Sequence, residues 1–334
     1  MNIKRILAGI LCVCLIGTGC VPAYAAENEV PVSAESVIET VAAEPVAATS
    51  DIPQVMLEQM GRDVKLKDFI RPVSIRDFIK FTKKMKKYYT TMDVSAKTLT
   101  SAGDLAYLDS ACSSPANESI GIAPASLNGR PVTLLTLGGT CFKAGQASGI
   151  QEDLLSALEQ SNRYLHNVVD IFDKTDENGQ PLIPSDRPVI VTGISLGGMV
   201  AQQLLSQKDI MKRFDISHVI CFGSPLLAPF SRDKGTTVVR FCDSMDIVPY
   251  LGRSAMIDMV RQELRNKNPL RYVQRLDKKE AIVKDGGYKT PISAHALSYV
   301  EGKCWNGYDA LGVYGGGNQI KMEKDLQFFS NSVK

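Results

Sequence analysis

From Val189 the chain runs through a short β-branched strand, Val189-Ile-Val-Thr192, into Gly193-Ile194-Ser195-Leu196-Gly197-Gly198, and on into an apolar stretch, Met199 to Leu205, without a helix breaker. A strand that feeds a helix through G-x-S-x-G has to turn very sharply. The serine is then held with its hydroxyl above the sheet, and the residues two before and two after it must be small to avoid clashing. The same glycines would also serve a structural or phosphate-binding turn, although the dinucleotide pattern G-x-G-x-x-G does not occur in the chain.

Strand-like and helix-like runs alternate around this turn. Pro131 to Leu137 reads as a buried strand ending in Gly138-Gly139-Thr140. A helical pattern follows with Leu154, Leu155, Leu158, Leu165, Val168, Val169 and Phe172, and then a loop from Lys174 to Pro188. His218 to Phe222 and Thr236 to Phe241 read as two further strands. The order implies an α/β chain, a mostly parallel central sheet with helices on both faces. Ligands of such sheets bind at the carboxyl ends of the strands, where Ser195 falls.

A serine hydroxyl is a poor nucleophile. It needs a base to take its proton and a third group to hold that base in the right tautomer. The chain has three histidines. His166 falls inside a helical run and His218 at the start of a strand, whereas His295 lies in a loop-like stretch and leaves room for an acid between it and the serine, the order this turn uses. Two loop aspartates after the Thr236 strand, Asp243 and Asp246, are candidates for that acid. An oxyanion needs preorganised N–H donors. The amide of Leu196 directly follows the serine, and the Gly138-Gly139-Thr140 turn supplies Thr140, through its amide and its hydroxyl.

With 334 residues, 44% hydrophobic and 22% charged, the chain can bury a substantial core, which excludes disorder throughout. Residues 1–25 have the three parts of a secretory signal: Lys4 and Arg5, an apolar stretch from Ile6 to Ile16, and Ala23-Tyr24-Ala25 as a cleavage site. The expected protein is therefore secreted, with a lipid anchor at Cys20 and cell-surface association as the alternative. Residues 26–60 read as an acidic flexible linker and 61–334 as the folded domain, of which 61–95 form a basic helical extension. Residues 26–61 carry seven acids and no base; residues 62–90 carry ten bases and three acids. The basic segment reads as a helix packed on the domain with a solvated lysine face, or alternatively as a contact for an anionic membrane or cell-wall surface. The body beyond it has balanced charge, which argues against nucleic acid as a partner. After cleavage Cys112, Cys141, Cys221, Cys242 and Cys304 remain, an odd number without C-x-x-C spacing. They read as buried small apolar side chains, and no metal site is expected.

Taken together, these motifs resemble the class 3 lipases of the α/β-hydrolase fold. Thr133-Leu-Leu-Thr-Leu-Gly-Gly-Thr140 looks like that family's strand leading into its oxyanion residue, and Val191 to Gly198 is similar to its nucleophile turn. Cys221-Phe-Gly-Ser-Pro225 resembles its F-G-S/A-P stretch, Asp246-Ile-Val-Pro249 its D-x-V-P acid motif, and His295-Ala-Leu-Ser-Tyr299 its histidine segment. The resemblance covers roughly residues 100 to 305. It implies a serine carboxylester hydrolase acting on acylglycerols or related lipid or small esters, with Ser195, His295 and Asp246 as triad, Thr140 and Leu196 at the oxyanion, and no cofactor. The chain departs from the family where Gly138 replaces an arginine, and where Phe142 to Ile150 is short for a helical lid. Gly145 and Gly149 would hinge only a small flap. Met256, Ile257, Met259 and Val260 read either as an acyl pocket or as plain core. The same triad would also serve an acyltransferase or a peptidase, and a surface-binding protein with a vestigial hydrolase body is the non-catalytic alternative.

Overall fold

A computed structural model describes Lys84, Tyr89 and residues 91–331, apart from 115–116, 142–146, 158–159, 228–234, 251–280 and 302–304. The expected signal, the linker and most of the basic segment lie outside the described residues, as do Gly145, Cys304 and the Met256 to Val260 group.

The strands are β1 (Thr98–Leu99), β2 (Ile120–Leu127), β3 (Arg130–Leu137), β4 (Val189–Ile194), β5 (Ile216–Phe222), β6 (Thr237–Asp243), β7 (Ala281–Lys284), β8 (Ile320–Met322) and β9 (Gln327–Phe329). The helices are α1 (Ala102–Cys112), α2 (Ile150–Ala157), α3 (Arg163–Ile171), α4 (Leu196–Leu204), α5 (Lys208–Arg213) and α6 (Pro291–Leu297). One sheet runs in the order β1-β8-β2-β3-β4-β5-β6-β7, with β9 also paired to β2.

The chain is of the α/β class, but the expectation of a mostly parallel sheet is corrected. From β3 to β7 the four pairings are parallel. The other four, β1–β8, β2–β3, β2–β8 and β2–β9, are antiparallel, so the sheet is mixed. The cause is local. Asn128 and Gly129 take φ of 50° and 83°, the left-handed values of a two-residue hairpin turn, and fold β2 back on β3. The C-terminal strands β8 and β9 then pair with the free edge of β2.

Alternation along the parallel strands explains the two cores. Leu135, Val191 and Val219 point to one face, under Leu165 and Val168 of α3 and Met199, Val200 and Leu204 of α4. Leu134, Ile190 and Ile220 point to the other, under Leu105 and Leu108 of α1 together with Trp305 and Tyr299. Each such side chain contributes about 1.5–3 kcal/mol on burial. Helices therefore cover both faces. The helical pattern from Leu154 to Phe172 proves to be two helices, because Asn162 caps α3 by accepting the Leu165 amide at 3.0 Å. Cys112, Cys141, Cys221 and Cys242 are buried.

Candidate active site

β4 delivers Ser195 at its carboxyl end. Ser195 has φ 54° and ψ −119°, a left-handed conformation unusual for a residue with a side chain and worth about 1–3 kcal/mol of strain. Its surroundings hold it there. The Ser195 amide donates to the Phe222 carbonyl at 2.8 Å, and the Ser195 carbonyl accepts the Met199 amide at 3.2 Å as α4 begins. A Cβ on Gly193 would come within 2.5 Å of the Gly197 carbonyl carbon, and one on Gly197 within 2.2 Å of the Leu137 carbonyl oxygen. Small residues are thus required on both sides of the serine, as the turn chemistry demands.

The structure brings Ser195, His295 and Asp246 together. His295 Nε2 is 2.9 Å from Ser195 Oγ, and His295 Nδ1 is 2.9 Å from Asp246 Oδ2. His295 lies in helix α6 rather than in a loop. Pro291 opens that helix, and the Thr290 side chain caps it by accepting the Ser293 amide. The imidazole keeps 26% of its side-chain surface exposed, whereas Asp246 is fully buried at 0%. Burial works against the imidazolium, but the Asp246 carboxylate in contact with it and the nearby charge of Asp153 outweigh that, and the histidine is shifted upward.

Asp246 is held by more than the histidine. Its Oδ1 accepts the Val248 amide at 2.9 Å and its Oδ2 the Tyr299 hydroxyl at 2.7 Å. Tyr299 follows His295 by four residues, one helical turn, so both reach the same carboxylate from one side. Asp243 takes a different part. It is the last residue of β6 rather than a loop residue, and its carboxylate accepts the Met245 amide at 2.7 Å and the Gly286 amide at 2.9 Å. Burial pushes it up to about 6 against those two bonds. It braces the acid loop and does not contact the histidine ring. His166 and His218 sit elsewhere, beside Ser161 and Ser217.

The loop after β3 comes up against the serine. A Cβ on Gly139 would lie 3.2 Å from the Ser195 Cβ. Among the described residues neither the Thr140 amide nor the Leu196 amide has an acceptor. The Thr140 hydroxyl, by contrast, donates to Asp153 Oδ2 at 2.7 Å. Its proton is therefore engaged by that carboxylate. Burial pushes the Asp153 carboxyl up to about 7, opposed by the Thr140 bond and by the charge of His295. Sequence reasoning missed Asp153, because an acid in the first turn of a helix is ordinary, and it named Tyr299 only as part of a motif.

Of the basic segment, Lys84 and Tyr89 are helical. Lys84 Nζ is 2.6 Å from Glu301 Oε1, just past α6. Among the described residues no group of three or more metal-ligating side chains converges, and no helix is long and apolar enough to cross a membrane. Comparison with family models, with curated proteins and with solved structures returned no match for this chain.

Proposed function

We propose that this chain is a secreted serine carboxylester hydrolase of the α/β-hydrolase fold, similar in design to the class 3 lipases, acting on lipid or small carboxylic esters. The observation that carries the reading is the unbroken contact from Ser195 Oγ through His295 to Asp246, with 2.9 Å at each step. A hydroxyl, an imidazole and a buried carboxylate in that sequence are what an activated serine requires.

In this reaction His295 takes the proton from Ser195 as the oxygen attacks the ester carbonyl. Asp246 holds the ring with Nδ1–H toward itself and stabilises the imidazolium that forms. The negative charge on the former carbonyl oxygen is met by the amides of Leu196 and Thr140. His295 then gives its proton to the departing alcohol and leaves an acyl-serine. Water, deprotonated by the same histidine, cleaves that ester and returns the serine. Each proton has a named donor and acceptor, so the chemistry calls for no metal or cofactor.

The test is hydrolysis of a short-chain 4-nitrophenyl ester by the wild type and by Ser195→Ala. The wild type should turn over and the variant should fall by about 10⁶-fold in kcat while keeping its melting temperature. Undiminished hydrolysis by Ser195→Ala would overturn the proposal.

A further inference from the structure

The turn 138–141 is pinned at nearly every peptide group. The Gly138 amide donates to the Ser119 carbonyl at 2.8 Å, and the Cys141 amide to the Ser148 carbonyl at 2.8 Å. The Tyr164 hydroxyl donates toward the carbonyls of Ser119 and Gly138, at 2.8 and 3.0 Å. The Gly139 amide donates to Ser113 Oγ at 2.7 Å, and that hydroxyl in turn donates to the Asp109 carbonyl at 3.1 Å. Among the described residues the Thr140 amide alone, of the four in this turn, has no acceptor.

We propose that Ser113 is a positioning residue for the oxyanion site: by capturing the Gly139 amide it selects the Thr140 amide as the donor that faces Ser195. The inference rests on the hydrolase reading above. Two successive glycines have no side chain to restrict the backbone, and the Gly139 N–H and the Thr140 N–H lie in adjacent peptide planes joined at the Gly139 Cα, so a partner that holds the first plane removes one of the rotations that set where the Thr140 N–H points. Ser113 supplies that partner from the end of α1. A Cβ on Gly138 would lie 2.7 Å from the Cys112 carbonyl carbon, so the turn rests directly on that helix end. A Cβ on Gly139 would lie 3.2 Å from the Ser195 Cβ and 3.5 Å from Ser113 Oγ, which places Gly139 between the two serines. The same helix is tied to the nucleophile strand, because the Thr192 hydroxyl donates to Asp109 Oδ2 at 2.8 Å. One helix end therefore sets the distance between the nucleophile and its oxyanion donor. Ser113 touches neither ester nor oxyanion; it acts through Gly139.

The experiment compares wild type, Ser113→Ala and Ser113→Thr for kcat, KM and the inhibition constant of an alkyl boronic acid, which forms a tetrahedral adduct on an active serine. Amide hydrogen exchange at Gly139 is followed alongside. Losing an oxyanion donor costs about 10²–10³ in rate, so Ser113→Ala should lose about 10²-fold in kcat and a similar factor in boronate affinity, with KM nearly unchanged. Gly139 should exchange fast in that variant and slowly in the wild type. Ser113→Thr, which keeps the hydroxyl, should recover most of the loss. If Ser113→Ala fails to fold, Ser113→Cys keeps the volume with only a weak acceptor and is read in the same way. Unchanged kcat and boronate affinity would overturn the proposal, as would a loss that merely tracks the folded fraction and is not recovered by threonine. A wild type that is inactive, or as active as Ser195→Ala, defeats the hydrolase reading itself, whereas slow exchange at Gly139 in Ser113→Ala defeats only the role of Ser113.

Discussion

On one side of His295, the loop that follows β6 presents Asp246, fully buried and surrounded by three donors: the Val248 amide, the Tyr299 hydroxyl and the imidazole itself. A second carboxyl near the histidine, Asp153 of α2, is half-buried, and its described side-chain partner is the Thr140 hydroxyl. Both charges act on the histidine in the same direction. Only the first is in contact with it. The difference lies in the donors that replace the water a buried carboxyl has lost. Asp246 has three of them, whereas Asp153 accepts the Thr140 hydroxyl and burial pushes it up to about 7.

Removing the better-held carboxylate should have the larger effect. Asp246→Asn presents an amide to Nδ1 and favours the wrong tautomer, for which the expected loss is about 10⁴-fold in kcat. The comparison would break if this variant kept more than a tenth of wild-type kcat. Tyr299→Phe comes next. It removes one of the three donors and also leaves the Asp243 amide without the hydroxyl it donates to at 2.8 Å. An unsatisfied buried amide costs about 1–3 kcal/mol, so a fall in melting temperature should accompany a loss of about tenfold in kcat. Wild-type kcat in Tyr299→Phe would mean that Asp246 is fixed by its backbone donor and the histidine alone. The pH profile sharpens the same point. His295 is active as a base only when neutral, so with its pKa raised the acid limb of kcat/KM should lie above the ordinary histidine value of about 6.5, rates falling as the pH drops through it.

How far each carboxylate was legible in the sequence follows from how local its constraints are. The serine turn could be read because the strand, the small residues and the helix are contiguous. Asp243 and Asp246 stand three positions apart after one strand, and residue type alone did not separate them; the resemblance did. Their division of labour depends on Gly286 and Tyr299, distant in sequence, donating to one or the other. Asp153 left no mark, since its role comes from Thr140 thirteen residues earlier and from the burial of both. The helix around His295 did carry its signal, Thr290 followed by Pro291, and so did the β2–β3 hairpin in Asn128-Gly129. The three-residue strands β8 and β9 are too short to show a period of two, and they pair with the edge of β2 that the hairpin leaves open.

The smallest effect belongs to Asp153→Asn, and there the direction matters more than the size. A carboxyl raised from about 3.9 in the unfolded chain to about 7 in the folded one binds its proton more tightly when folded. The wild type therefore gains stability from protonation below about pH 4, loses it progressively as the pH rises, and has lost it above about 7. Asparagine does not titrate. The melting temperature of Asp153→Asn relative to wild type should accordingly climb between about pH 4 and 7 and then level off. In catalysis the same substitution removes a negative charge near His295, so the acid limb of kcat/KM should move to lower pH by less than about one unit. The shift is smaller than the effect of Asp246→Asn because the charge acts without contact. The amide that replaces the carboxylate can also donate to the Thr140 hydroxyl, as a protonated Asp153 would, which frees the threonine proton to turn toward the oxyanion. The limiting rate should then be held within about threefold of wild type rather than lost. An acid limb that does not move would show that the histidine feels Asp246 alone.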